Sequence, residues 1–254
     1  MKDYIHQPNT SIRMLTSPAL KSLIAEAVKE EGIEGVIETG TYDGAGSTRM
    51  LAEAFHEAGV LPKFFHTIEI NLSRYRKARQ NLSHFPFVEC LWGRSVPADE
   101  AIQFVKNDSV LKHHEDYPDI FLDGSEDPVS FYIRECQGGV NWRKRLFRQH
   151  LNPFYHAMRL TKFKGDDLLR KLIRIHMDDK TLVVLDSAGG IGLLEFEIVT
   201  AALAKRTYWL LLDDVHHLKH FRSLERIQKD PSFKLLGSDV SAGWALTKHE
   251  SSRN

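Results

Sequence analysis

Cysteine is nearly absent: the 254-residue chain has only Cys90 and Cys136. Two thiols cannot build a disulfide framework, and neither sits in a metal-type spacing. Both are expected to be buried, inert thiols, as suits a reducing cytoplasm. Net charge is also absent, because 34 Lys and Arg balance 34 Asp and Glu. Overall charge therefore gives no argument for nucleic-acid or membrane binding; only a local patch could. No run of about 18 apolar residues occurs, so no spanning helix is expected. Charges throughout the N-terminal region leave no apolar core for a secretory leader. There is no internal repeat and no low-complexity tract. What remains, 42% hydrophobic and 27% charged, is an ordinary globular composition. The length suits one large domain with a full core, or one carrying a substantial insertion.

Periodicity places the elements. Leu20, Leu23, Ile24 and Val28 fall at helical spacing behind Ser17-Pro18, predicting a helix over 18–31. Short apolar runs predict strands over 35–39, 64–69 and 87–91, alternating with helices over 47–58, 73–82 and 97–105. This β-α order marks a parallel sheet covered on both faces. It lapses between residues 108 and 180, which read as an insertion or cap within a single domain spanning 1–254. Within it, residues 141–180 hold eleven Lys and Arg against four Asp, with Leu168, Leu169, Leu172, Ile173 and His176 on one helical stripe. The basic stretch reads as a solvated face or dimer contact; the other reading is an anion site for a phosphorylated or nucleotide-linked acceptor. Trp142, Phe147, Phe154 and Tyr155 nearby make nucleic acid conceivable, but the neutral chain disfavours it.

Strand-helix order resumes with strands over 181–186 and 208–213 and helices over 192–205 and 219–229. The closing runs 233–237 and 243–247 are too close together for a helical crossover and must pair antiparallel. A rival for the fourth strand is Asp119–Ser125, which also ends in an acid, Asp123. The 181–186 run is preferred because it leaves no strand unassigned.

Chemistry concentrates at the strand ends. The first strand runs into Glu38-Thr39-Gly40-Thr41-Tyr42-Asp43-Gly44-Ala45-Gly46-Ser47-Thr48. Glycines there let the chain turn sharply and a ligand approach the backbone, while the next helix offers free N–H groups. The spacing is neither the G-x-G-x-x-G of dinucleotide folds nor a P-loop. Glu69 ends the second strand, where a carboxylate can accept both ribose hydroxyls of an adenosine. The plain alternatives are an ordinary strand-to-helix turn and a solvated strand-end charge.

Together these residues resemble the class I S-adenosylmethionine-dependent methyltransferases, over residues 35–107 and 181–249. Glu38-x-Gly40-x-x-x-Gly44 looks like the family's cofactor loop, Glu69 like its ribose-binding acid, and Gly93-Arg94-Ser95 like its adenine-side turn. The resemblance implies an α/β fold with a doubly wound, mostly parallel seven-stranded sheet, the last strand inserted antiparallel, plus the helical insertion. It implies S-adenosylmethionine held by Glu38, Gly40, Tyr42, Gly44, Ser47, Glu69, Gly93, Arg94 and Ser95.

Asp186 and Asp213-Asp214 end the next two strands, and three carboxylates there can hold a hard cation such as Mg²⁺. This is similar to metal-dependent O-methyltransferases, including those acting on macrolide sugars, and implies Asp186, Asp213 and Asp214 as metal ligands. Asp186 is followed by Ser187-Ala188-Gly189-Gly190, where many relatives carry a histidine or tyrosine. Asp213 or Asp214 as a helix cap is the other reading. With Asp186, His216 and His217 are the candidate catalytic residues, an imidazole being a natural base near neutral pH; His220 stands close by. The expected acceptor is a hydroxyl of a small molecule, anionic or sugar-linked, and a homo-oligomer is compatible. A nicotinamide-dependent oxidoreductase and a non-catalytic cofactor-binding protein are the competing classes.

Overall fold

The computed structural model describes residues 17–124, 127–137, 162–187 and 189–251. Part of the basic stretch, including Arg143, Lys144, Arg145, Arg148, Arg159 and its four aromatics, lies outside the described residues.

Seven strands form one sheet in the order β3-β2-β1-β4-β5-β7-β6. They are β1 (Gly35–Thr39), β2 (Phe64–Glu69), β3 (Glu89–Trp92), β4 (Thr181–Leu185), β5 (Tyr208–Asp213), β6 (Phe233–Asp239) and β7 (Trp244–His249). β1 to β5 run parallel, and β7 is antiparallel to both β5 and β6. Every residue of β1 and β4 is buried, which is why neither alternates between apolar and exposed polar positions.

Adjacent residues face opposite layers. Val36, Leu182, Val184, Trp209 and Leu211 pack under α1 (Pro18–Glu30), α2 (Ser47–Glu57) and α3 (Leu72–Asn81). Ile37, Val183, Leu185, Leu210 and Leu212 face the other layer. That layer includes α4 (Ala98–Asn107), α6 (Pro128–Cys136), α7 (Leu168–Ile175), α8 (Gly192–Ala202) and α9 (Phe221–Lys229), with the short α5 (Ser109–Lys112) at its edge. Ser17 caps α1, accepting from the Leu20 N–H at 3.2 Å, with Pro18 in its first turn.

The chain builds outward from β1 through β2 to β3, then crosses back to place β4 on β1's other side. The reversal puts a crevice outside the carboxyl ends of β1 and β4, where open α/β sheets take their ligands. Asp119–Ser125 contributes no sheet strand: its described part makes a single bridge from Phe121 to His217. The fourth strand is therefore the one that runs into Asp186. Cys136 is buried and Cys90 half-buried, both are free thiols, and burial pushes each up to about 12. No helix among the described residues is long and apolar enough to cross a membrane.

Candidate active site

The glycine loop follows from what its neighbours leave room for. Gly40 sits at φ +87°, and a Cβ there would lie 2.0 Å from the Asp186 carbonyl oxygen. Only glycine lets the ends of β1 and β4 touch backbone to backbone. Gly44, at φ +71°, packs on α3, where a Cβ would come within 3.0 Å of Ala78 Cα. Between them Tyr42 holds φ +54°, an uncommon conformation for a residue with a side chain. Its ring is exposed, with the Arg74 guanidinium 4.4 Å from the ring centroid. Gly40 and Thr41 both donate their N–H to the Ile68 carbonyl, at 3.0 and 3.1 Å. Asn81 Nδ2 donates to the Asp43 carbonyl at 2.8 Å.

Glu38 lies wholly buried beneath this loop. Its carboxylate accepts from Ser47 Oγ at 2.8 Å and from Thr48 Oγ1 and Thr67 Oγ1, each at 2.6 Å. Burial pushes its pKa up, and the three hydroxyls draw it back down. Its oxygens staple the loop to α2 and β2. Ser47 Oγ also lies 3.0 Å from Asp186 Oδ2. One hydroxyl proton serves one carboxylate at a time, so Glu38 and Asp186 compete for it. Burial pushes the pKa of both upward.

Glu69 closes the loop from the side of β2. Oε2 accepts the Tyr42 N–H at 2.9 Å and Oε1 the Asn71 N–H at 2.6 Å. Each carboxylate oxygen has two acceptor positions, so one on each stays open. Burial dominates and lifts the pKa to about 7 against the pull of these amides and of Arg74. Gly93-Arg94-Ser95, beyond β3, is strapped by the end of the insertion. Arg94 N donates to the Gly165 carbonyl, and Leu168 N and Leu169 N donate back to Arg94 and Ser95. Arg94 Nη1 pairs with Asp166 at 2.7 Å, and a Cβ on Gly93 would lie 2.5 Å from Leu168 Cδ1.

Across the crevice the three strand-end acids do converge, but on a lysine. Lys219 Nζ lies 3.0 Å from Asp186 Oδ1, 3.3 Å from Asp213 Oδ2 and 2.9 Å from Asp214 Oδ2. Burial opposes its charge, and the three carboxylates more than restore it. Burial also pushes Asp213 well up, aided by Asp186. Burial pushes Asp214 upward, yet Lys219 outweighs it and holds that acid at about 2. The expected Mg²⁺ set does not fit this arrangement. A magnesium ion needs its oxygens at about 2.0–2.1 Å, and an ammonium occupies their common focus. Among the described residues no group of three or more His, Cys, Asp or Glu is placed to hold a metal.

The histidines separate by hydrogen bonding. His217 Nδ1 accepts the Lys219 backbone N–H at 3.1 Å, which places the proton of a neutral ring on Nε2. That Nε2 points to Asp123 Oδ2 at 3.5 Å, so a neutral His217 presents a donor there and not a base. His220 is fully buried. Its Nε2 donates to the Leu185 carbonyl at 3.1 Å and its Nδ1 accepts from Ser223 Oγ at 3.2 Å, and burial drives its pKa far down. His216 lies edge-on to Phe121, with ring centroids 5.2 Å apart.

Three further residues belong to the site. Asp123 is half exposed; its N–H donates to Tyr132 Oη at 2.9 Å, and that hydroxyl donates to Asp123 Oδ2 at 3.3 Å. Burial works against the Asp123 charge, but His217 and Lys219 hold its carboxyl below the usual range. Glu195, fully buried on α8, accepts from Thr39 Oγ1 at 2.9 Å and Ser187 Oγ at 2.7 Å. Lys219 carries no sequence signal beyond its place in a predicted helix start. Asp123 had one, the acid-ended run 119–125.

No family model matches the chain, and no curated protein matches it in sequence. Among solved structures it is similar to an O-methyltransferase from Bacillus cereus in complex with SAH: 15% identity, 92% of this chain and 82% of that one, TM-score 0.45. It is similar to cofactor-bound Rv0187 from MTB at 16% identity, over 94% and 84% of the two chains, with TM-score 0.47. The O-methyltransferase TomG from Streptomyces achromogenes, involved in tomaymycin synthesis and in complex with SAM, gives 15%, 93% and 81%, and 0.44. The strand order and the reversed β7 decide the architecture. The fold is that of the class I methyltransferases.

Proposed function

We propose that the chain is an S-adenosylmethionine-dependent methyltransferase acting on a hydroxyl of a small molecule, a sugar or another metabolite. One observation carries this reading. Glu69 stands at the end of β2 beside the Gly40–Gly46 turn, with an acceptor position open on each oxygen. Two vicinal ribose hydroxyls match that pair.

In this reading Tyr42 and the loop glycines line the cofactor, Gly93-Arg94-Ser95 bounds its adenine side, and residues 108–180 form the cap of a single domain. S-adenosylmethionine, when bound, supplies an electrophilic methyl group on a sulfonium. The residues across the crevice orient the acceptor and take its proton. Transfer of that methyl to the acceptor oxygen would leave the sulfur with the electron pair of the broken bond. The hydroxyl proton passes to Asp123, the half-exposed acid that no ion pair ties to Lys219. His217 and Tyr132 orient that carboxylate. His216 is the alternative proton acceptor. The acid excess around Lys219 favours a neutral or cationic acceptor over the anionic one the basic stretch suggested.

Calorimetry with S-adenosylhomocysteine and with NAD tests the reading. Binding of the first alone is expected. Binding of NAD instead points to an oxidoreductase, and S-adenosylhomocysteine binding without transfer to any hydroxyl acceptor points to a non-catalytic binder.

A further inference from the structure

Three carboxylates at the ends of two neighbouring strands need a cation, and the chain brings its own. An ammonium has three N–H donors, and Lys219 has three acids around it, at 3.0, 3.3 and 2.9 Å. Its side chain is 7% exposed.

The turn between β5 and α9 is built to deliver this side chain. His217 Nδ1 holds the Lys219 N–H. His220 fixes the next residue to the Leu185 carbonyl at the end of β4. Gly192 opens α8 so closely that a Cβ there would lie 2.5 Å from the Lys219 carbonyl oxygen. Asp214, at φ +57°, takes a left-handed conformation. Such a conformation costs an ordinary residue energy and persists only where its surroundings hold it.

We propose that Lys219 is the resident cation of the site: its ammonium stands where a divalent ion would be bound and fixes Asp186, Asp213 and Asp214 without one. Lys219 is a positioning residue, because all three of its protons are spent on the acids and none reaches the acceptor. The proposal rests on the methyltransfer reading only for what the acids do, not for what they hold.

The test is a Mn²⁺ titration of the full chain, followed by the paramagnetic signal of free Mn²⁺. The wild type is expected to bind no Mn²⁺ at up to millimolar concentration. Lys219→Ala removes the internal charge and opens room, and is expected to bind one Mn²⁺ at least about 100-fold more tightly, with Asp214→Asn abolishing the gain. Lys219→Gln, which keeps the length and two donors, serves if the alanine variant does not fold. Stoichiometric Mn²⁺ binding by the wild type that is lost in Asp214→Asn overturns the proposal. So does a folded Lys219 variant that binds no Mn²⁺. S-adenosylhomocysteine calorimetry on the same samples reports separately on the functional reading, so failure of one is distinct from failure of the other.

Discussion

Glu69 makes the ligand-free protein less stable than it could be, and the cost is measurable. Its carboxyl is 4% exposed, and burial raises its pKa from 4.5 to about 7. A carboxyl with a higher pKa folded than unfolded leaves stability intact below about 4.5 and erodes it as the pH rises through about 7. The loss between pH 5 and pH 8 is about 2 to 3 kcal/mol, at 1.36 kcal/mol per pKa unit. Glu69→Gln cannot ionise. It gives up one of the two backbone hydrogen bonds, from Tyr42 or Asn71, but that penalty does not vary with pH. Urea unfolding of both proteins at several pH values isolates the term, since other titrating groups cancel in the difference. The variant should gain about 2 to 3 kcal/mol relative to the wild type from pH 5 to pH 8. Ribose hydroxyls donate to the ionised form, so binding should release a proton. S-adenosylhomocysteine affinity of the wild type should rise about tenfold from pH 6 to pH 8, and that of the variant should stay flat. A stability difference constant across the range would falsify the account of Glu69 as a desolvated carboxylate.

Two substitutions probe the rest of the crevice. Gly40→Ala combines a left-handed φ with a 2.0 Å contact to the Asp186 carbonyl. Chemical denaturation should show a loss of at least about 3 kcal/mol, and an unperturbed midpoint would mean β1 and β4 do not meet as described. Asp123→Asn should lower kcat by about 10²- to 10³-fold with S-adenosylhomocysteine affinity unchanged; full activity would move the proton acceptor to His216.

Repeating local patterns made the sheet legible. β1, β4 and β5 are buried on both faces and read as apolar runs, and the short 239–244 connection forced β6 and β7 together. The glycine turn and Glu69 were legible for the same reason, because strand ends announce themselves. Roles that depend on long-range contacts were not. Glu38 stands out in the sequence as a strand-end acid, but its partners Ser47, Thr48 and Thr67, which come from α2 and β2, are not legible there. Asp186, Asp213 and Asp214 look like a metal set until the fold brings Lys219 among them. α6 lies inside the stretch read as an insertion, although Pro128, Tyr132 and Cys136 line its buried face and Tyr132 packs against Gly190. The rival run 119–125 lost its place in the sheet but reached the site through the bridge from Phe121 to His217.

The close approach of Gly40 to the Asp186 carbonyl, with the Asp186 N–H donating to the Thr39 carbonyl at 3.1 Å, joins the two half-sites at one seam. Ser47 Oγ, touching both Glu38 and Asp186, adds a side-chain rivet to the same seam. The spacing between the glycine loop and the acids opposite is therefore set by the register of β1 against β4. Residues 108–180 leave the sheet after β3 and rejoin it at β4, so that register does not depend on their length. Replacing that segment would leave the width of the crevice as it is but would remove Asp123, Tyr132 and the strap on Arg94 and Ser95, so it is free to vary only outside them.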